Sequence, residues 1–267
     1  MGLVDGRVLI TGATGGIGQA IAQALAARGA TLIVSGRRLE VLQRLVEELG
    51  GAGVVRAVAC DLSDRAAVER LTSEAGGVDV LVANAGLPAS GVFTELSQEQ
   101  IDRVLEVNLR APIALARALA PQMTARRSGH VVLISSLAGK VASPASAIYS
   151  ATKFGLRGFA HGIREDLRPH GVGVSVVLPG FIRGAGMFAD AEVELPRGVG
   201  TRTPEDVAAA VIDAVEHNRA EVEVAPLGLR LGAAFAGLAP ELAASVSRRM
   251  GADRIASNLA AGQRDKL

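Results

Sequence analysis

At 267 residues the chain is long enough for one large α/β domain or two small ones. A hydrophobic content of 49% with only 3% aromatics means a core of Ala, Val, Leu and Ile, which suits buried parallel strands under Ala-rich helices. A net charge of +1 with mixed signs argues against a nucleic-acid surface, the lone Cys60 excludes an intrachain disulfide framework, and no uninterrupted apolar run reaches membrane-spanning length. The N-terminus enters a strand-like segment almost directly, without a signal-peptide pattern. A soluble, cytoplasmic protein is expected.

In chain order, Arg7–Ile10 is a short apolar run followed at once by Thr11-Gly-Ala-Thr-Gly-Gly-Ile-Gly18. Ile17 to Arg28 carries Ile21 and Leu25 at helical spacing, Gly29 is placed to stop that helix, and Thr31–Val34 is a second strand. Here a glycine turn joins a strand to a helix, the context in which such a turn cradles a pyrophosphate. Gly12 permits the tight turn, Gly16 lets a pyrophosphate approach the backbone, and Gly18 lets the helix pack on the strand. The helix N-terminus offers its unpaired N–H groups to an anion. An acidic residue usually receives the ribose 2′-hydroxyl roughly 20 residues beyond the glycines. Here Ser35-Gly36-Arg37-Arg38 stands in that place, with no acid before Glu40. A guanidinium cannot accept a hydrogen bond from a hydroxyl but pairs well with a 2′-phosphate. NADP(H) is therefore expected over NAD(H), with Arg37 the stronger contact and Arg38 beside it.

Leu39–Leu49 reads as a helix, and Val54–Ala59 as a third strand ending in Cys60-Asp61-Leu62-Ser63. Asp61, Ser63 or Asp64 can cap the helix that follows. Val78–Ala83 is a fourth strand, and Asn84-Ala85-Gly86 after it lets the chain pass close to a ligand while the amide ties neighbouring strands. Ser97–Val107 reads as a helix capped by Ser97; Asn108 then reads as an ordinary interruption before a helix over Leu109–Met123. His130–Ile134 is a fifth strand, ending in Ser135-Ser136, whose side chains point to opposite sides if the strand continues. Tyr149, the only tyrosine, opens a helix to Leu167 with Lys153 one turn further on. A phenol titrates near ~10, and a fixed ammonium beside it lowers that value enough to make it a general acid or base.

Gly171–Leu178 is a sixth strand, followed by Pro179-Gly180-Phe181-Ile182. The irregular segment Arg183–Gly200, with Met187, Phe188, Val193 and Leu195, is expected to be a lid or binding loop. Thr203 caps a helix that has Pro204 in its first turn and runs to about His217, and Glu221–Ala225 alternates in polarity as a seventh strand. Leu227–Leu267 is Ala/Leu-rich and is expected to be an appended helical pair. The four histidines show no metal-ligand spacing. Alternating strands and helices predict a single α/β domain: a doubly wound, seven-stranded parallel sheet with helices on both faces, a core over about 5–225 and an extension over about 226–267.

Together these motifs resemble the short-chain dehydrogenase/reductase family, in its short, single-domain Rossmann type. Gly12, Gly16 and Gly18 match TGxxxGxG; Gly15 also makes TGxxGxxG, the pattern of the family's extended members. The resemblance implies that Gly12, Thr14, Gly15, Gly16, Ile17 and Gly18 bind the cofactor and that Asp61 and Leu62 flank its adenine. It implies that Asn84, Ala85 and Gly86 form the NAG motif and that Pro179, Gly180 and Ile182 lie by the nicotinamide. Gly184 stands where the family often has Thr. The implied catalytic set is Asn108, Ser136 (thirteen residues before the tyrosine), Tyr149 and Lys153. In it Ser136 holds the substrate oxygen, Tyr149 exchanges the proton, Lys153 lowers the phenol's pKa and holds the ribose, and Asn108 bends its helix and holds a relay water. The implied reaction is hydride transfer between NADP(H) and a ketone or secondary alcohol, without a metal. Leu87, Pro88, Leu137, Val141, Pro144, Phe181, Met187 and Phe188 as pocket walls point to an apolar small-molecule substrate. The family also implies a homo-oligomer, dimer or tetramer. A dinucleotide-binding regulator without turnover, and an epimerase or dehydratase on the same fold, are the alternatives.

Overall fold

In the computed structural model, which describes residues 6–51, 53–189 and 199–249, seven strands form one parallel sheet. They are β1 (Arg7–Thr11), β2 (Thr31–Gly36), β3 (Val55–Ala59), β4 (Val80–Ala83), β5 (Gly129–Ile134), β6 (Val172–Pro179) and β7 (Glu221–Val224), in the order β3-β2-β1-β4-β5-β6-β7. Between them run the helices α1 (Gly16–Ala26), α2 (Leu39–Glu48), α3 (Arg65–Ala75), α4 (Gln98–Leu105), α5 (Ala111–Ala125), α6 (Ala147–Leu167), α7 (Gly186–Ala189) and α8 (Pro204–Glu216). The strands read as apolar runs because both faces of the sheet are covered; every residue of β4 and β6 is buried.

The two-residue alternation of the strands divides the core. Leu9, Leu81, Val131 and Leu133 pack under α3, α5 and α6, whereas Val8, Ile10, Val82 and Val132 pack under α1, α2 and α8. Cys60 is buried in the first of these layers. The chain reverses its winding between β1 and β4, so the crevice at the carboxyl ends of these two strands is where such a sheet binds ligands. Element ends fall within a residue or two of those expected, and the capping reads true at both predicted sites. Ser97 with Gln100, and Thr203 with Asp206, form reciprocal capping boxes.

One element differs. Asn108 does not break its helix: α4 passes through a single π-helical turn, Glu106–Arg110, directly into α5. The C-terminal pair is present as α9 (Leu227–Leu238) and α10 (Pro240–Arg249); α9 buries Ala233 and Ala236 and leaves Leu227, Leu231 and Leu238 exposed. Among the described residues, no helix is long and apolar enough to cross a membrane.

Candidate active site

The glycine turn is built around β1 and β4. Thr11 Oγ1 accepts hydrogen bonds from the Asn84 and Ala85 amides at 3.1 and 3.2 Å, and Asn84 Nδ2 donates back to the Thr11 and Gly12 carbonyls. Gly12 has φ +67°, and a Cβ there would stand 2.7 Å from Ala85 Cα. A Cβ on Gly18 would stand 2.3 Å from Gly12 O, so only glycine lets α1 pack this closely on the turn. A Cβ on Gly16 would stand 2.3 Å from the Cβ of Ala185, in the segment after β6. Gly15, exposed, holds the N-cap position of α1 without a capping side chain, and the first turn of that helix carries no acid. Its N–H groups are therefore open to an anion.

At the end of β2 the two arginines separate. Arg38 donates to Thr14 O at 2.9 Å, and Gly36 lacks the Cβ that would press on the Thr14 side chain. Arg37 is exposed and makes no hydrogen bond to a described residue; its charge acts on Asp61. Partial burial works to raise the Asp61 pKa. Hydrogen bonds from Ser63 and the charges of Arg37 and Arg103 outweigh it and hold the carboxyl below its ordinary value. Asp61 thus closes a turn with Ser63, Asp64 caps α3, and Leu62 is buried in the core.

The reacting groups converge on the other side of the switch point. Ser136 lies two residues beyond β5 and caps a 3-10 turn, Leu137–Gly139; its Oγ accepts from Ala138 N at 3.1 Å and donates to Pro179 O at 3.3 Å. Ser135 points the opposite way, to Lys153 O at 2.9 Å. Lys153 is 3% exposed; its Nζ lies 5.5 Å from the centre of the Tyr149 ring and donates to Ile134 O at 3.0 Å. Burial pushes the Lys153 pKa down to about 8. The fall expected for Tyr149 is not found. Burial raises its pKa, and the Ser136 hydroxyl beside it opposes this only in part.

Asn108 is fully buried. Its Oδ1 accepts from Leu87 N at 2.7 Å, and its Nδ2 donates to Leu87 O at 2.8 Å and to Thr152 Oγ1 at 3.5 Å. A Cβ on Gly86 would meet Lys153 Nζ and Met187 Cε at 3.5 Å and Asn108 Oδ1 at 3.6 Å, so these groups surround that glycine. Gly180 is likewise confined between Ala225 and Leu137. The Ile182 side chain is buried in the core, and its backbone bridges to Arg202. Of the expected walls, Leu87, Pro88 and Leu137 are buried, Val141, Phe181 and Met187 half-buried, and Pro144 exposed. The Phe188 side chain, Val193 and Leu195 lie outside the described residues. Two contributors were not singled out from sequence: Thr11, whose hydroxyl holds the NAG backbone, and Thr152, which joins Asn108 to the Tyr149 carbonyl. Thr152 sits between Tyr149 and Lys153 on the helix, the only cue to it in the sequence.

The profile of the family described as short chain dehydrogenase matches residues 6–194. The ketoacyl reductase HetN of Nostoc sp. is 37% identical over 229 residues, covering 83% of this chain and 79% of that protein. The structure of a short-chain dehydrogenase from Sphingobium yanoikuyae in complex with NADPH superposes with a TM-score of 0.74 at 30% identity, over 82% of this chain and 87% of that one. A metagenomic short-chain oxidoreductase in complex with NADP superposes with a TM-score of 0.70 at 35% identity, over 84% and 98%. With the sheet order, the glycine turn and the serine–tyrosine–lysine cluster already in place, these likenesses show that the chain belongs to the short-chain dehydrogenase/reductase family of NAD(P)-dependent oxidoreductases.

Proposed function

We propose that the protein interconverts a ketone and a secondary alcohol with NADP(H), using Tyr149 as the general acid and base. The observation that carries this reading is the buried Lys153 ammonium 5.5 Å from the centre of the Tyr149 ring, with the Ser136 hydroxyl acting on the same phenol, all at the carboxyl ends of the strands. The uncapped α1 N-terminus, the small residues at Gly12, Ala85 and Gly86, and the arginines at the end of β2 fit a phosphorylated dinucleotide. Thr14, Gly15, Gly16 and Ile17 would hold its pyrophosphate, Asp61 its adenine side, and Lys153 and Pro179–Gly180 its nicotinamide end. Bound there, the nicotinamide supplies or takes the hydride. The similar structures with NADPH and NADP support the choice of cofactor, and the exposed Arg37 beside Asp61 supports a 2′-phosphate.

A phenol with a raised pKa stays protonated at neutral pH, the form that protonates a carbonyl oxygen during reduction. Ser136 hydrogen-bonds that oxygen as negative charge develops, and the Lys153 charge steadies the phenolate left behind. Asn108 holds the chain beside Gly86 through both groups of the Leu87 backbone. Leu87, Phe181 and Met187 give the pocket apolar walls, which favours an apolar carbonyl compound. The test is NADPH oxidation across a panel of ketones. Tyr149→Phe should lower kcat by roughly 10²–10⁴-fold while NADPH still binds; undiminished turnover in that variant would overturn the assignment.

A further inference from the structure

Away from the reacting groups, a cluster of charges is wedged between four segments of chain. Glu221 and Glu223 are two apart on β7, so both side chains leave the same face of that edge strand. Lys140, which ends the 3-10 turn capped by Ser136, donates to both, with 2.6 Å to Glu221 Oε1. On its other side Glu221 Oε2 accepts from Arg157 Nε at 2.6 Å and His161 Nε2 at 3.0 Å, while Arg230 of α9 donates to Glu223 at 2.9 Å. Tyr149, Lys153, Arg157 and His161 follow each other at four-residue spacing, one row along α6. The side chains of Lys140, Glu221 and Glu223 are 17%, 18% and 13% exposed, so solvent screens the cluster weakly. One carboxylate therefore grips both carriers of the site: the turn bearing Ser136 and the helix bearing Tyr149 and Lys153.

The turn and the residue before its cap have other contacts with α6. Ser135 binds Lys153 O, and Gly139 lies so close to α6 that a Cβ would stand 2.7 Å from the same carbonyl. Lys140, next after Gly139, adds the charged link from the turn to β7. Resting on the function proposed above, we propose that Lys140 and Glu221 are positioning residues that set the spacing between the Ser136 hydroxyl and the Tyr149 phenol. They touch no reacting atom and act through the serine turn. Lys140→Met is the clean perturbation, because Glu221 keeps Arg157 and His161 and Glu223 keeps Arg230, leaving no carboxylate without a partner.

The experiment compares wild type, Lys140→Met and Lys140→Arg, each with and without Ser136→Ala, using the best ketone of the panel together with hydrogen exchange. Lys140→Met should lower kcat about 10-fold with KM and NADPH affinity unchanged, and Lys140→Arg should recover most of that loss. In the Ser136→Ala background, Lys140→Met should cost nothing further, since its effect passes through the missing hydroxyl. Amides of residues 138–141 should exchange faster in Lys140→Met while those of α6 do not. An unchanged kcat, or an equal loss with and without the serine, overturns the proposal. If wild type turns over no ketone or alcohol, the proposed reaction fails separately; faster exchange in the turn then upholds the clasp and unchanged exchange overturns it.

Discussion

Arg37 and Arg38 are neighbours in sequence with different tasks in space. Arg38 spends its guanidinium on Thr14 O, which braces the glycine turn, whereas Arg37 stands exposed with its charge directed at Asp61. Arg37→Ala should therefore weaken NADPH binding by about 10–100-fold and leave NADH binding nearly unchanged, as loss of one charge-assisted contact to a phosphate implies. Titrations with both cofactors check this, and equal losses would place the phosphate elsewhere. At the same scale, helical spacing placed Tyr149 and Lys153 one turn apart, while Ser136 was singled out only by resemblance to the family. The state of the phenol was not legible. It depends on burial in the packed fold and on the Ser136 hydroxyl from another strand end, neither of which periodicity reports.

At the scale of elements, the stretch from α4 to α5 shows how one side chain redirects a helix. Asn is a poor helix former, so an interruption at Asn108 was the natural expectation. In the fold, its amide pairs with both backbone groups of Leu87, and the helix adjusts by a π-helical turn instead of ending. Asn108→Ala removes these bonds and leaves the Leu87 N–H and C=O without them. A loss of roughly 2–4 kcal/mol in stability is expected, read as a lower urea midpoint at unchanged slope. The glycine turn teaches the same lesson. Its pattern identified the element, but the crowding of Gly16 by Ala185 comes from a distant segment that only folding brings there.

For the whole molecule, the amino-terminal end of the sheet, away from the site, carries a buried titratable group that sets acid stability. His130 on β5 hydrogen-bonds Ser175 on β6 at 2.8 Å, and burial, helped by the Arg164 charge, pushes its pKa from 6.5 down to about 4. The folded protein thus prefers the neutral ring. Above pH 6.5 this makes no difference; as pH falls from 6.5 to about 4 the unfolded chain binds a proton that the folded one refuses, and stability drops by roughly 3 kcal/mol. Glu221, lowered from 4.5 to about 2 by its hydrogen bonds from Arg157, Lys140 and His161 against the penalty of burial, stabilises the fold above pH 4.5 and loses that contribution between 4.5 and 2. Urea titrations from pH 7 to 4 should show the first loss in wild type and a flatter profile in His130→Asn; parallel profiles would assign it to other groups. The sequence by itself determined the alternation of strands and helices, the seven parallel strands, the glycine turn and the order of the motifs along their strand ends, because each rests on local periodicity, caps and turn residues. Only the tertiary structure decided which atoms meet: Asn108 with Leu87, Gly16 with Ala185, Ser136 with Tyr149, and Lys140 with Glu221. Those contacts join residues from different crossovers, and burial, which sets their charges, is a property of the packed whole.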